Sequence, residues 1–157
     1  MANVAVNGSE ITPATKSGHV TYDIERYVCV DWDEETGECI SRSWRGDGSG
    51  STGAKVTTGT ISANSKMKIN GTSVAKVGDT VNYSWVADPP VPSNTTNTRY
   101  VNISPATSGS GTGTITGGSN KGKLGGQSIA LVGSEVSLDI GVTTTISDGV
   151  SKMKFNS

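Results

Sequence analysis

Apolar and polar residues alternate with a period of two along several stretches of this chain, and that pattern predicts strands. In Ser65-Lys66-Met67-Lys68-Ile69 every second side chain is apolar, the mark of a strand with one buried face. Asn70-Gly71 follows, a strong hairpin signal, because a type I′ turn needs two positive φ angles that Asn and Gly tolerate. Ser73-Val74-Ala75-Lys76-Val77 then reads as the return strand, and Gly78-Asp79 as its stop. Glycines and β-branched residues interrupt every stretch long enough to be a helix. The expected fold class is all-β.

The same unit recurs. Gly59 to Val81 contains Gly-Thr-Ile-Ser, the strand and the turn, and ends in Gly-Thr-Ser-Val-Ala-Lys-Val-Gly-Asp-Thr-Val. Gly113 opens a second copy with Gly-Thr-Ile-Thr-Gly-Gly-Ser. From Gly126 to Val136, Gly-Gln-Ser-Ile-Ala-Leu-Val-Gly-Ser-Glu-Val keeps register with Gly71–Val81 without a gap, and Gly125-Gly126 takes the turn. A partial third copy closes the chain: Thr145 to Val150, then Ser151-Lys152-Met153-Lys154-Phe155-Asn156, which parallels Ser65 to Asn70. Recurrence of this kind predicts structural repeats. The chain reads as one domain, 1–157, with an N-terminal extension 1–58, a repeat region 59–157 and an inserted loop 82–112.

Composition sharpens the picture. The chain is 32% hydrophobic, 5% aromatic and 17% charged, with 21 glycines, so it has many turns and little core per residue. Such a chain is expected to find further burial against a partner or an assembly. A net charge of −1 and no run of basic residues argue against a nucleic-acid partner. No stretch of about 18 apolar residues is present for a membrane-spanning helix. The opening Met-Ala-Asn-Val-Ala-Val-Asn-Gly lacks a basic region and an apolar core, so synthesis in a cytoplasm without a secretion signal is expected.

Cys29 and Cys39 flank an acidic stretch. Folding it about Glu34 places them opposite each other across a hairpin, where opposed Cα atoms lie about 4.5–5.5 Å apart, within disulfide range. Two readings stay open: a cross-strand disulfide formed outside the cytoplasm, and two packed thiols.

The recurring strand, Asn-Gly, small residue and Val-Ala-x-Val-Gly-Asp resemble the PAAR-repeat proteins, the small tips of contractile phage tails and related injection machines. Gly71–Val81 carries the resemblance best; Gly126–Val136 departs at Ser134, where the family has aspartate. The likeness covers residues from about 59 to the end. It implies a small conical tip of short β-hairpins with pseudo-threefold internal repeat, plus loop and hairpin extensions. The broad base would cap a trimeric β-helical spike or hub protein of the tail, and the point would meet the target cell envelope. The location implied is the virion, at the tail tip or baseplate, after synthesis in the host cytoplasm, and the role is mechanical rather than enzymatic. The apolar hairpin face, Met67, Ile69, Val74, Val77, Ile129, Val132, Met153 and Phe155, is then the expected spike interface.

Family members commonly hold zinc near the apex with histidines and a cysteine. This chain has one histidine, His19, so no cofactor is expected; His19, Cys29, Cys39 and Asp31 form the alternative zinc set, at a spacing that matches no zinc signature. A disulfide-stapled hairpin would replace the metal as the staple of a small fold.

Other chemistry is less well supported by the residues. A nucleophilic triad needs a base, and the residues around His19 form no nucleophile elbow. Asp31, Asp33, Glu34, Glu35 and Glu38 depart from calcium-loop spacing and read as a solvated turn. The glycine-rich run from Gly46 to Gly53 lacks the Gly-Lys-Ser/Thr of a phosphate loop, and Arg45-Gly46-Asp47 is a chance triplet. Trp32, Trp44 and Trp85 read as core or interface anchors. The rival reading is a receptor-binding or capsid-decorating β-sandwich-like adhesion protein that uses the tryptophans and the 82–112 loop.

Overall fold

The computed structural model describes residues 2–155. All regular structure among them is β: β1 (Ala2–Val4), β2 (Thr15–Trp32), β3 (Cys39–Ser62), β4 (Lys68–Ile69), β5 (Thr72–Ser73), β6 (Thr80–Asp88) and β7 (Thr98–Ser104). They continue as β8 (Ser108–Ile115), β9 (Lys123–Leu124), β10 (Gln127–Ser128), β11 (Glu135–Leu138), β12 (Thr143–Thr145) and β13 (Val150–Phe155). The expected all-β class is what the chain adopts.

The chain divides into two compact units. The first comprises Met1–Lys16, Lys55–Val86 and Ser108–Ser157; the second comprises Ser17–Ala54 and Ala87–Thr107. The sequence reading placed 1–58 in one N-terminal extension. Residues through Lys16 instead belong with the repeat-bearing unit. The segment 82–112, read as an inserted loop, is largely strand: β6 runs on to Asp88, and β7 and β8 follow. The prolines at 89, 90 and 92 end β6, because proline cannot donate to a ladder.

In the first unit three short hairpins share one register. Ile69 pairs with Thr72 and Lys68 with Ser73 in β4–β5. Leu124 pairs with Gln127 and Lys123 with Ser128 in β9–β10. Phe155 pairs with Ala2 and Lys154 with Asn3 in β13–β1. The first two are closed by turns with positive φ at both central residues, Asn70 and Gly71 in one and Gly125 and Gly126 in the other. The Asn-Gly signal is thus borne out. The third is assembled from the two ends of the chain.

Beyond the hairpins the return segments do not stay with their own partners. The Ala5 N–H donates to the Ala130 carbonyl, Ala130 to Ala75, and Ala75 to Ala5, each at 2.9 Å. One layer on, Asn7 donates to Ser73 at 2.8 Å, Val77 to Ser128 and Val132 to Asn3, both at 2.9 Å. Each set closes a ring through all three segments, and the two rings run in opposite cyclic orders. The three alanines are fully buried, and Val4, Val74 and Ile129 beside them are at most 2% exposed. A small side chain is required where three backbones approach one another this closely.

Each return segment then makes the same tight turn. Gly8, Gly78 and Gly133 adopt φ of 87°, 96° and 93°, a region that L side chains rarely enter. The next residue's side chain accepts from the backbone three positions earlier: Ser9 from Val6 (3.0 Å), Asp79 from Lys76 (3.0 Å) and Ser134 from Leu131 (2.9 Å). Ser134 therefore performs the work of the expected aspartate. The glycine N–H groups donate to Ile61, Ile115 and Ile146 at 2.8, 2.9 and 2.8 Å, and all three isoleucines are buried.

The same unit carries the strand order β12-β11-β8-β6 followed by the 55–62 part of β3. Side chains alternate strictly along β6, with Val81, Tyr83 and Trp85 buried and their neighbours exposed. The second unit is a thinner structure, in which the 39–54 part of β3, β2 and β7 lie side by side. Its buried apolar residues are Val20, Ala54 and Ala87.

Candidate functional site

The hairpin end of the first unit gathers most of the residues expected at an interface. Ile69, Val74 and Ile129 lie in one buried cluster with Val4 and Leu131. Met67, Leu124, Met153 and Phe155 are partly buried and packed against it. This corrects the expected spike interface: Val74 is fully buried, Ile129 is 2% exposed and Ile69 is 8% exposed, so all three are core residues. Val77 and Val132 are half-buried. Period-two alternation identifies a buried face but not what buries it, and here the hairpins cover one another.

The same segments carry a second repeated pattern, Lys-x-Lys-apolar: Lys66-Met67-Lys68-Ile69, Lys121-Gly122-Lys123-Leu124 and Lys152-Met153-Lys154-Phe155. All of these lysines are exposed. At Gly122 the Phe155 ring occupies the space a side chain would need, since an added Cβ would lie 3.0 Å from two ring carbons. The Lys152 ammonium donates to the Asn70 side-chain carbonyl at 3.0 Å, tying the third hairpin to the turn of the first.

Sequence reasoning missed the N-terminal member of this arrangement. Val4-Ala5-Val6-Asn7-Gly8-Ser9-Glu10-Ile11 stands in the register of Ile129-Ala130-Leu131-Val132-Gly133-Ser134-Glu135-Val136, and the shared Ala-x-x-Gly-Ser-Glu was legible. What hid it was the missing hairpin strand in front, which lies at the far end of the chain.

The second unit contains the cysteines. Cys29 and Cys39 form a disulfide with Cα atoms 5.9 Å apart, which decides between the two readings of that hairpin. The turn between them is held by Asp33, whose Oδ1 accepts from the backbone of Glu35 (2.8 Å) and Thr36 (3.2 Å). Asp33 is thus committed to the turn. The alternative zinc set is not brought together: its two sulfurs are bonded to each other, and no group of three or more potential ligands occurs among the described residues. His19 sits half-buried on β2.

The tryptophans differ. Trp85 is a core residue at 5% exposure, whereas Trp32 is 56% exposed. Trp44 packs on Tyr27 with centroids 5.2 Å apart and lies under the Arg99 guanidinium at 4.3 Å. Arg99 in turn donates to Glu25 at 2.6 Å. Val28 and Val30 share a face of β2 with Trp32 and, like Ile40, are exposed.

In the first unit a shallow trough is lined by Thr58, Gly59, Thr60, Asn82, Tyr83, Ser84, Ser110, Gly111 and Thr112. Its one titratable group is Tyr83, whose hydroxyl donates to Asp139. Burial first, and that hydrogen bond second, push the phenol well above its ordinary range. A phenol held protonated in this way serves as a structural donor, not as a base.

No protein-family model, curated protein or solved structure matches the chain.

Proposed function

We propose that this protein is a non-enzymatic tip of the central spike in a contractile phage tail or related injection machine. It sits on a trimeric β-helical protein through its repeat-bearing unit and meets the target cell envelope. The observation that supports this most is the cyclic exchange of hydrogen bonds among Ala5, Ala75 and Ala130. Three copies of one hairpin and one turn, joined in a ring of hydrogen bonds, support the reading of a pseudo-threefold tip that presents three equivalent contacts to a true trimer. The PAAR-like residues of the turns point the same way. The role is mechanical: force passing along the spike is concentrated on a small area of membrane, and no cofactor takes part.

The test is the stoichiometry in an intact particle. Electron microscopy of that particle should locate one copy at the distal end of a threefold spike. Size-exclusion chromatography with light scattering of the chain alone should give a monomer. A stable homotrimer, or many copies spread over a capsid, would overturn the reading.

The exposed Trp32 and Ile40 favour the second reading, an adhesion or decoration module, because an apolar patch on a disulfide-stapled hairpin suits recognition of another macromolecule. Particles carrying Trp32→Ala would then lose attachment to cells while keeping the chain in place.

A further inference from the structure

We propose that the three Lys-x-Lys strands form the docking face of this protein, and that its partner is a trimeric protein presenting a carboxylate cluster on each of its three chains. The inference rests on the spike-tip reading and names the chemistry of its contact.

Three observations carry it. First, the lysines occupy equivalent register positions. Lys68, Lys123 and Lys154 pair with Ser73, Ser128 and Asn3, and the residue after each pairs with Thr72, Gln127 and Ala2. Lys66, Lys121 and Lys152 each stand two residues earlier and are exposed, Lys152 on β13 and the other two in the bends that lead into β4 and β9. Second, the charge there is of one sign. Residues 2–9, 62–78, 117–134 and 149–155 contain no aspartate or glutamate, whereas the chain as a whole has 14 acidic residues against 13 basic ones. Third, the three strands surround a single apolar cluster, so their basic sides are held in fixed relation to one another and one of them is tied to its neighbour through Lys152 and Asn70.

Like charges gathered this way repel one another unless something of opposite sign meets them. A threefold repeat of charge positions is matched by a threefold partner; a lipid surface or a polyanionic chain has no symmetry to match. Carboxylates are the partner groups that pair with ammonium groups at a protein interface. The apolar residues between the lysines are already packed inward, so charge supplies the orientation and the encounter rate of this contact.

The test uses the full chain and the trimeric spike protein purified from the same particle. Wild-type protein should bind it at one copy per trimer, and affinity should fall about tenfold or more between ~0.05 M and ~0.5 M salt. Carbodiimide, which joins an amine to a touching carboxylate, should link Lys68, Lys123 or Lys154 to acidic residues of the partner. The triple variant Lys68→Glu, Lys123→Glu and Lys154→Glu should weaken binding about a hundredfold. The triple Lys→Gln variant should do so less, and Lys55→Glu, an exposed lysine on β3, should leave binding unchanged. Thermal melts of each variant report folding; in a triple variant that has unfolded, the crosslink sites in the wild-type complex carry the decision. Failure of wild-type protein to bind the trimer at any salt would overturn the spike-tip reading itself. Binding that is insensitive to salt and to the triple reversal, or crosslinks confined to other residues, would overturn this inference alone. Tight binding of the wild-type chain to phosphatidylglycerol vesicles, lost in the triple variant and with no binding to the trimer, would overturn both.

Discussion

Trp85 on β6 lies directly across from Gly109 on β8, and its indole occupies the space a side chain at that glycine would need. A Cβ built on Gly109 would sit 2.8 Å from three atoms of the ring, closer than nonbonded carbons approach. The next pair along the ladder repeats the arrangement, with Tyr83 opposite Gly111. Alternate glycines on β8 thus make room for alternate aromatics on β6. Gly109→Ala should therefore lower stability by about 1–3 kcal/mol, the usual cost of overpacking a closed core. A denaturant midpoint shift with unchanged slope checks it. Ser110→Ala, one residue on and exposed, should be close to neutral.

Tyr83 gives the pH dependence its sign. Its phenol is pushed above the ordinary value by burial and by its hydrogen bond to Asp139. A raised pKa in the folded state means the protonated form is favoured by folding. This contribution is fully present below the unfolded pKa of about 10 and is lost as pH rises through the higher folded value. Melting temperature should fall at alkaline pH for the wild type. Tyr83→Phe should be less stable at neutral pH and should show less of that alkaline fall. An identical alkaline profile in the two proteins would contradict this assignment.

The turn chemistry predicts a tolerant and an intolerant substitution at one position. Ser134 accepts a hydrogen bond from Leu131 as Asp79 does from Lys76. Ser134→Asp should therefore stay near wild type, while Ser134→Ala should cost about 1 kcal/mol by orphaning a backbone donor. Gly133→Ala should cost more than a few tenths of a kcal/mol, because its φ of 93° is strained for any residue with a Cβ. Chemical denaturation of the three variants ranks them.

Much of this architecture is readable from residues that act locally. Asn70-Gly71 specifies its own turn, and Met67 and Ile69 announce one buried face, because both signals depend only on neighbours in sequence. What is not readable depends on partners far away. Val74 reads as an external-interface residue because nothing in its own segment says that Val6 and the hairpins of other copies enclose it. Only one strand of the third hairpin, in Ser151–Asn156, is legible as a copy, because its partner β1 is separated from β13 by almost the whole chain. The 82–112 segment reads as a loop because Ser108-Gly109-Ser110-Gly111 has no apolar alternation. Its strand character comes from pairing with β6, where the glycines accommodate the facing aromatics. The hydrophobic pattern of one strand reports its burial, and glycine opposite an aromatic becomes visible only once the two strands are paired.

The disulfide supports the second unit, where apolar burial is thinnest. Val28, Val30 and Trp32 are exposed along the part of β2 that leads to the Asp33–Glu38 turn, so this hairpin gains little from the hydrophobic effect. Closing a ten-residue separation between Cys29 and Cys39 removes freedom from the unfolded hairpin, and such bonds are commonly worth about 2–4 kcal/mol. The replacement Cys29→Ser with Cys39→Ser should therefore act locally. Backbone amides of 28–40 should lose hydrogen-exchange protection, while those of Ala5, Ala75 and Ala130 in the first unit should keep theirs. Reductant added to the wild type should reproduce the same local pattern, since it breaks the same bond without changing a side chain elsewhere. Loss of protection at the three alanines as well would mean that the two units unfold as one, and the local account of the disulfide would then be wrong.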